Sequence, residues 1–352
     1  MVSVFGLGNP LLDILLKGTH TDLDALGVVP GSMNLVDFAG QEEVVRRGVA
    51  PYRTAGGSCA NTIRAIAWLR SAALEGGAFA EIAPPAPAYT GAIGNDENGV
   101  AFRERLAAED VELSLAKKET PTGTSAIIVT PDHERTMFTF LGACREYELR
   151  DLDEKLIERA QVFHTTGYMW DTENEEAAAR HGIEYAREQG KLVSFDVSDP
   201  FVVHRFREKL VSYLPGRIDV LFANRDELTA MVGIDDDPET ILVEASRFAP
   251  VVVMKVGKEG CYVASATEGI VHVPGFPVEA RDTTGAGDSF AGGFLFARLA
   301  GASPAGACVA ANSLASAVVQ VDGCDYSLIP REHLQRVLRQ LPPTLEATHP
   351  GS

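Results

Sequence analysis

Apolar residues along this chain change period repeatedly, and the changes mark out its elements. "VSVFGLG" (2–8) is a short apolar run closed by glycines, which predicts a buried strand. In "SCANTIRAIAWLRSAAL" (58–74), Ile63, Ile66, Ala67 and Leu69 fall at helical spacing. Tyr89–Ile93 predicts a strand and Glu97–Glu109 a helix. Strand and helix patterns then alternate: strand 162–167, helix 173–189, strand 192–197, helix 203–214, strand 219–224, another helix, and strand 251–257. Two short strands follow near 261–264 and 270–273, and helical patterns close the chain at 287–300, 304–320 and 330–340.

This alternation predicts an α/β fold: a doubly wound, mostly parallel sheet with helices on both faces. Two stretches break the rhythm. "TSAIIVTPDHERTMFTFLG" (124–142) reads as two β-rich runs joined by "PDHE", a hairpin, and residues 14–40 lack the alternation. Both are assigned to a small β-sheet lid. The expected division is a large domain of 1–13, 41–118 and 145–342, a lid of 14–40 and 119–144, and a tail of 343–352. The Ala/Pro-rich segment 76–88 reads as a surface loop.

Composition narrows the function. The chain has 352 residues, 45% hydrophobic and 23% charged, as expected of a globular protein with a large core. A net charge of −18 with no Lys/Arg cluster argues against nucleic acid or an anionic membrane as partner. No apolar run reaches the roughly 18–20 residues of a membrane span. The five cysteines (59, 144, 261, 308 and 324) are widely spaced, without metal-ligand or redox spacing. Reduced thiols in a cytoplasmic protein are the expectation, and the first residues show no basic leader.

The chemistry concentrates in "DTTGAGDSF" (282–290). Gly285, Ala286 and Gly287 precede a helical pattern. They would present unpartnered amides at the positive end of a helix dipole, an anion site that needs no basic side chain. Asp288 beside them suits a general base that takes a proton from a hydroxyl, while the amides hold the charge of a phosphoryl group. The alternative is an ordinary turn with a capping aspartate.

Other polar groups sit at predicted strand ends and helix starts, where open α/β sheets bind ligands. Asn9 and Asp13 follow the first strand in "GNPLLD", and Gly57, Ser58 and Asn61 open a helix in "GGSCAN". A sugar diol suits them: Asp13 accepts two hydroxyl bonds, Asn61 donates one, and Gly57 admits the ring. Singly, Asn9 and Ser58 read as a turn and a cap. In "NRDE", Asn224 and Glu227 follow a strand, and Glu227 suits a Mg²⁺ held through water. Gly257 and Gly260 form a further turn in "KVGKEG". Dinucleotide and P-loop signatures are absent: Leu11 occupies the third glycine position of "GLGNPL", and neither "GK" precedes Ser or Thr.

Over roughly residues 2–325 the chain resembles the ribokinase-type (PfkB) carbohydrate kinases, through "DTTGAGDSFAGGF" (282–294) and "GGSCAN". The resemblance implies that fold, with ATP as donor. It makes Asp288 the catalytic base and Gly285, Ala286 and Gly287 the anion hole. Asn224 and Glu227 would serve phosphate and Mg²⁺, and the Gly257–Gly260 loop and the helix bearing Asn312 would flank the adenine. Asp282 and Thr284 would hold a monovalent cation such as K⁺.

Within the family the chain most resembles the adenosine kinases, through "FGLGNPLLDI" (5–14), "PTGTSA" (121–126) and "ERTMFTFLGA" (134–143). This implies Arg135 near the phosphates, Met137, Leu141, Leu11 and Leu35 against the base, and Asn9, Gly57 and Ser58 on the substrate side. Met169 takes the place where an aromatic often meets the purine. Lid closure and a monomer or homodimer are also implied. The expected reaction is ATP-dependent phosphorylation of a nucleoside's primary hydroxyl, most simply adenosine to AMP. The alternative acceptor is a free sugar such as ribose or fructose.

Overall fold

The computed structural model describes residues 1–75, 83–132, 134–330 and 337. Most of the expected 76–88 loop, nearly all of the 330–340 helix and the tail lie outside the described residues. Fourteen strands are present among the described residues. They are β1 (Val2–Leu7), β2 (Leu11–Lys17), β3 (Met33–Leu35), β4 (Val49–Gly56), β5 (Ala88–Gly94), β6 (Glu112–Lys118), β7 (Thr124–Val129), β8 (Arg135–Phe140), β9 (Ala160–Thr166), β10 (Leu192–Asp196), β11 (Val220–Asn224), β12 (Val251–Lys255), β13 (Gly260–Ser265) and β14 (Gly269–Pro274). The helices are α1 (His20–Leu26), α2 (Phe38–Arg47), α3 (Ser58–Glu75), α4 (Glu97–Ala108), α5 (Glu154–Arg159), α6 (Glu173–Glu188), α7 (Pro200–Tyr213), α8 (Arg225–Val232), α9 (Pro238–Ala245), α10 (Ala286–Leu299) and α11 (Pro304–Val318).

The large sheet has nine strands in the order β14-β13-β12-β11-β10-β9-β1-β5-β6. The run from β12 to β6 is parallel, and β13 and β14 add antiparallel at one edge. Each face carries its own core. Val4, Phe222 and Val253 pack under α3, α10 and α11, whereas Phe5, Leu221 and Val252 pack under α6 to α9. Central strands buried on both faces need apolar residues at successive positions, which is why their sequences read as unbroken runs. Among the described residues no helix is long and apolar enough to cross a membrane.

A second sheet of five strands, β3-β8-β7-β2-β4, forms the small layer. Its strands alternate with period two. Ile14, Leu16, Ala126, Ile128 and Phe138 face a core with Leu23 and Val44 from α1 and α2. Leu11, Asp13, Ser125, Ile127, Arg135 and Met137 line a cavity on the opposite side.

The small sheet takes more of the chain than 14–40 and 119–144. It begins at Leu11, and residues 41–56, expected in the large domain, carry the rest of α2 and then β4. Gln41 of α2 donates to the Thr124 carbonyl at 2.7 Å, which ties the helix to β7. Pro51 disguised β4 in the sequence. The strand is an edge strand, where a missing N–H is tolerated. The other edge strand overlooked in the sequence, β6, reads "ELSLAKK", with too little apolar content for a core strand.

Arg64 fastens α3 beneath this sheet. Its side chain is fully buried; it donates to the carbonyls of Ala55 (2.7 Å) and Cys324 (3.2 Å) and forks onto Glu109 (2.7 and 2.9 Å). Arg64→Ala would leave the Ala55 and Cys324 carbonyls without this donor, while Glu109 keeps Arg105 at 2.9 Å, so the substitution is expected to cost about 1–3 kcal/mol of unfolding free energy in urea. A loss below about 1 kcal/mol, the scale of surface pairs, would contradict that role.

Candidate active site

The carboxyl ends of the parallel strands and the inner face of the small sheet enclose a cavity of about 880 Å³. Asp288 lies on its floor, in the first turn of α10. Gly285 is the N-cap in the left-handed conformation (φ 70°), where a Cβ would stand 2.5 Å from Cys324 Sγ, so only glycine fits. Gly285 and Gly287 line the cavity. Ala286 does not, and its N–H donates to the Thr283 carbonyl at 3.2 Å.

Two groups at the start of α3 fix the carboxylate. Ser58 Oγ donates to Asp288 at 2.7 Å and Asn61 Nδ2 at 3.0 Å. Asn61 was expected to serve a sugar hydroxyl. Its amide is turned to the Asp288 carboxylate, and the Ser58 hydroxyl, read in the sequence as a cap, is turned there too. Burial pushes the Asp288 carboxyl up to about 6, against the lowering effect of these two hydrogen bonds.

On the lid side, Asp13 projects from β2 and is pushed up to about 7, chiefly by burial, with Arg64 and Arg135 opposing. Asn9 is buried at the cavity wall, and its Oδ1 has no hydrogen-bond partner among the described residues. Asn9 and Asp13 thus offer acceptors that suit hydroxyl donors. Gly57 borders the same space.

Arg135 donates to Thr284 Oγ1 at 2.9 Å and pairs with Asp282. Asp282 also accepts the N–H groups of Thr284 (2.9 Å) and Gly323. A guanidinium and two amides thus hold the Asp282 carboxylate, and its Oδ1, which accepts only the Thr284 N–H, keeps a lone pair.

Leu11, Leu35, Met137 and Leu141 line the cavity as an apolar wall. Met169 does not. It is fully buried against the sheet with Trp170. The segment Gly167–Trp170 is a 3₁₀ turn, whose three-residue period sends Met169 and Trp170 inward and leaves Tyr168 on the cavity. Phe201, at the start of α7, joins it there. The sequence held both aromatics, but only the turn geometry selects them. The Thr139 hydroxyl is hydrogen-bonded with Ser125 Oγ at 3.1 Å, which uses one O–H of the pair and leaves the other.

On the opposite side, Asn224 caps α8 and Glu227 closes the box. The Asn224 N–H and Nδ2 donate to the two carboxylate oxygens at 2.8 and 2.7 Å. Both residues line the cavity, and burial holds the Glu227 carboxyl above its ordinary range. Each oxygen keeps a lone pair, which fits a Mg²⁺ held through water; among the described residues no cluster of three or more ligands offers a fuller cage. Gly257 lines the cavity, but Gly260 and Asn312 do not. Gly260 begins β13 opposite Pro274, and Asn312 donates to the Val273 and Pro274 carbonyls at 3.1 and 3.2 Å, tying α11 to β14 behind the site.

Among the cavity residues missed in the sequence are Lys255 and Asp196. Lys255 Nζ donates to Asp196 Oδ2 at 2.9 Å. Each is the last residue of a strand, and that signal was present: "VVVMK" and "LVSFD" are apolar runs ending in a charge at the sheet's carboxyl edge.

An anion turn, a buried carboxylate and hydroxyl acceptors under a second sheet define a phosphoryl transferase with an alcohol acceptor. The chain matches the model for the pfkB family of carbohydrate kinases over residues 24–331 and belongs to that family. It is an ATP-dependent kinase. Adenosine kinase 1 of Arabidopsis thaliana is 27% identical over 346 residues, covering 92% of this chain and 95% of the relative. An ATP-dependent ribose-1-phosphate kinase of Halopiger xanaduensis is 32% identical over 246 residues, covering 69% and 73%. The crystal structure of adenosine kinase from Sinorhizobium meliloti matches with a TM-score of 0.85 at 29% identity, covering 97% of this chain and 99% of that one.

The two raised carboxyls give a pH prediction. A general base at Asp288 would need the ionised carboxylate. The kcat/KM of the free enzyme should therefore fall with decreasing pH, first through about 7 as Asp13 protonates and more steeply through about 6 as Asp288 does. An acid limb near 4, the ordinary carboxylate range, would contradict the burial argument.

Proposed function

We propose that this kinase transfers the γ-phosphoryl group of ATP to the 5′ hydroxyl of a nucleoside, with adenosine as the leading acceptor. One observation carries the reading: the same cavity joins the base Asp288, the hydroxyl acceptors Asn9 and Asp13, and an apolar wall from the lid with Tyr168 and Phe201. A purine fits such a wall, whereas a free sugar leaves it in contact with water.

In this reading Asp13 and Asn9 accept hydrogen bonds from the ribose hydroxyls and present the 5′ hydroxyl to Asp288. Asp288 takes its proton as the oxygen attacks the γ-phosphorus, and ADP departs with the bridging oxygen. The turn at Gly285–Gly287 meets the developing charge with backbone dipoles that need no reorganisation. Glu227 and Asn224 would hold Mg²⁺ through water, and the ion supplies charge neutralisation of the phosphates. Leu11, Leu35, Met137 and Leu141 exclude water from the base side.

A phosphorylation screen with ATP against adenosine, other nucleosides, ribose, fructose and ribose 1-phosphate tests the acceptor. A nucleoside is expected to exceed every free sugar by roughly 10²-fold in kcat/KM, the scale of discrimination that pocket contacts give. A sugar or sugar phosphate ranking above all nucleosides overturns the reading. Separately, Asp288→Asn should lower kcat by roughly 10²–10⁴-fold while nucleoside affinity, measured by calorimetry, stays near wild type.

A further inference from the structure

Four cationic side chains line the cavity, and the mechanism above gives none of them a role. Arg205 is held by Asp171, Arg281 by Asp322 and Arg135 by Asp282. Lys255 differs in where it points. Its Nζ is anchored on Asp196 at 2.9 Å, yet the same atom stands 3.2 Å from the point a Cβ on Gly287 would occupy. The ammonium therefore faces the anion turn across the cavity floor. Burial disfavours its charged form, but Asp196 on β10, Glu227 on α8 and Asp288 on α10 face it and hold the proton above the ordinary lysine range.

An ammonium has three N–H donors, and Asp196 uses one. A purely structural pair would have no reason to aim the others at the turn. The site also has a charge problem. Asp196, Glu227 and Asp288 surround the position that receives a triphosphate. A helix N-terminus offers only about half a positive charge against them.

We propose that Lys255 is a catalytic residue of this kinase: its ammonium donates to a non-bridging oxygen of the migrating phosphoryl group, with Asp196 holding it in position. The proposal rests on the reading that Asp288 and the Gly285–Gly287 turn receive that group. The bond from the γ-phosphorus to the bridging oxygen breaks, and the bond to the acceptor oxygen forms. The hydroxyl proton goes to Asp288, and Lys255 keeps its three protons throughout.

The test compares wild type with Lys255→Met, Lys255→Arg and Asp288→Asn. Lys255→Met should lower kcat by roughly 10²–10³-fold, the scale of losing one donor to a developing charge. KM for the nucleoside should change less than about threefold, and Lys255→Arg should regain at least about tenfold. A second readout is thermal stabilisation. Wild type should gain more from nucleoside, MgADP and aluminium fluoride together than from nucleoside and MgADP alone. Lys255→Met should lose that increment and keep the shift given by nucleoside alone.

Turnover of Lys255→Met within about threefold of wild type, or an intact aluminium fluoride increment, overturns the proposal. If Lys255→Met does not fold, the doubly neutral Lys255→Met with Asp196→Asn is read by the same criteria. An inactive Asp288→Asn beside an active Lys255→Met sinks the role of Lys255 alone. A wild type that phosphorylates no alcohol from ATP sinks the underlying reading with it.

Discussion

The buried carboxylate of Asp288 depends on α3 and α10 packing side by side with their N-termini together. A carboxylate out of water is costly unless hydrogen bonds replace its solvation. Here the replacement comes from Ser58 and Asn61 at the start of α3, and Asp288 itself sits in the first turn of α10. Two positive helix ends thus converge on one negative group. The approach is close: a Cβ on Gly292 of α10 would stand 2.5 Å from the Ala65 Cβ of α3. Thr62 adds a hydrogen bond to the Asp288 carbonyl at 3.1 Å. Displacing either helix by about the width of a methyl group would break both donors' geometry, since hydrogen bonds weaken steeply with distance and angle.

The same constraint couples the two sheets. β4 runs straight into α3 through Gly56 and Gly57, so the small sheet and the donors to Asp288 share one stretch of chain. Arg64 reinforces the junction by binding the Ala55 carbonyl at the end of that strand. Gly56 lies against the Asp13 carboxylate, which places the substrate-side acid beside the segment that orients the base. Movement of the lid would therefore be felt at Asp13 first and at the start of α3 next.

How much of this was legible beforehand follows from the kind of signal each part gives. The glycine turn and Asp288 were readable because a left-handed residue before a helix and a first-turn carboxylate both leave local marks. The central strands were readable because burial on two faces forces apolar runs. β4 was not, because an edge strand tolerates Pro51 and needs little apolar content. Met169 misled because neighbours in a 3₁₀ turn point in different directions, and a sequence position does not say which of Tyr168, Met169 and Trp170 meets the cavity. The pairing of Asp282 and Thr284 with Arg135 was illegible for another reason: Arg135 comes from a strand about 150 residues away, and no local pattern reports a pairing across sheets. Asn312 and Gly260 do not line the cavity that holds Asp288, and the Asn312 amide is spent on the Val273 and Pro274 carbonyls.

The architecture separates chemistry from choice of acceptor. Asp288, the amide turn, Glu227 and Lys255 all stand on the large sheet or its helices, fixed by strand ends and caps. The lid supplies most of the apolar wall, through alternate residues of β2, β7 and β8 whose neighbours fill a separate small core. A residue on the cavity face of such a strand can change without disturbing that core, because period-two alternation keeps the two sets apart. The phosphoryl-transfer floor is under no such freedom, since each of its groups answers to several others at once. Such a division is compatible with relatives named for different acceptors, adenosine in one and ribose 1-phosphate in another.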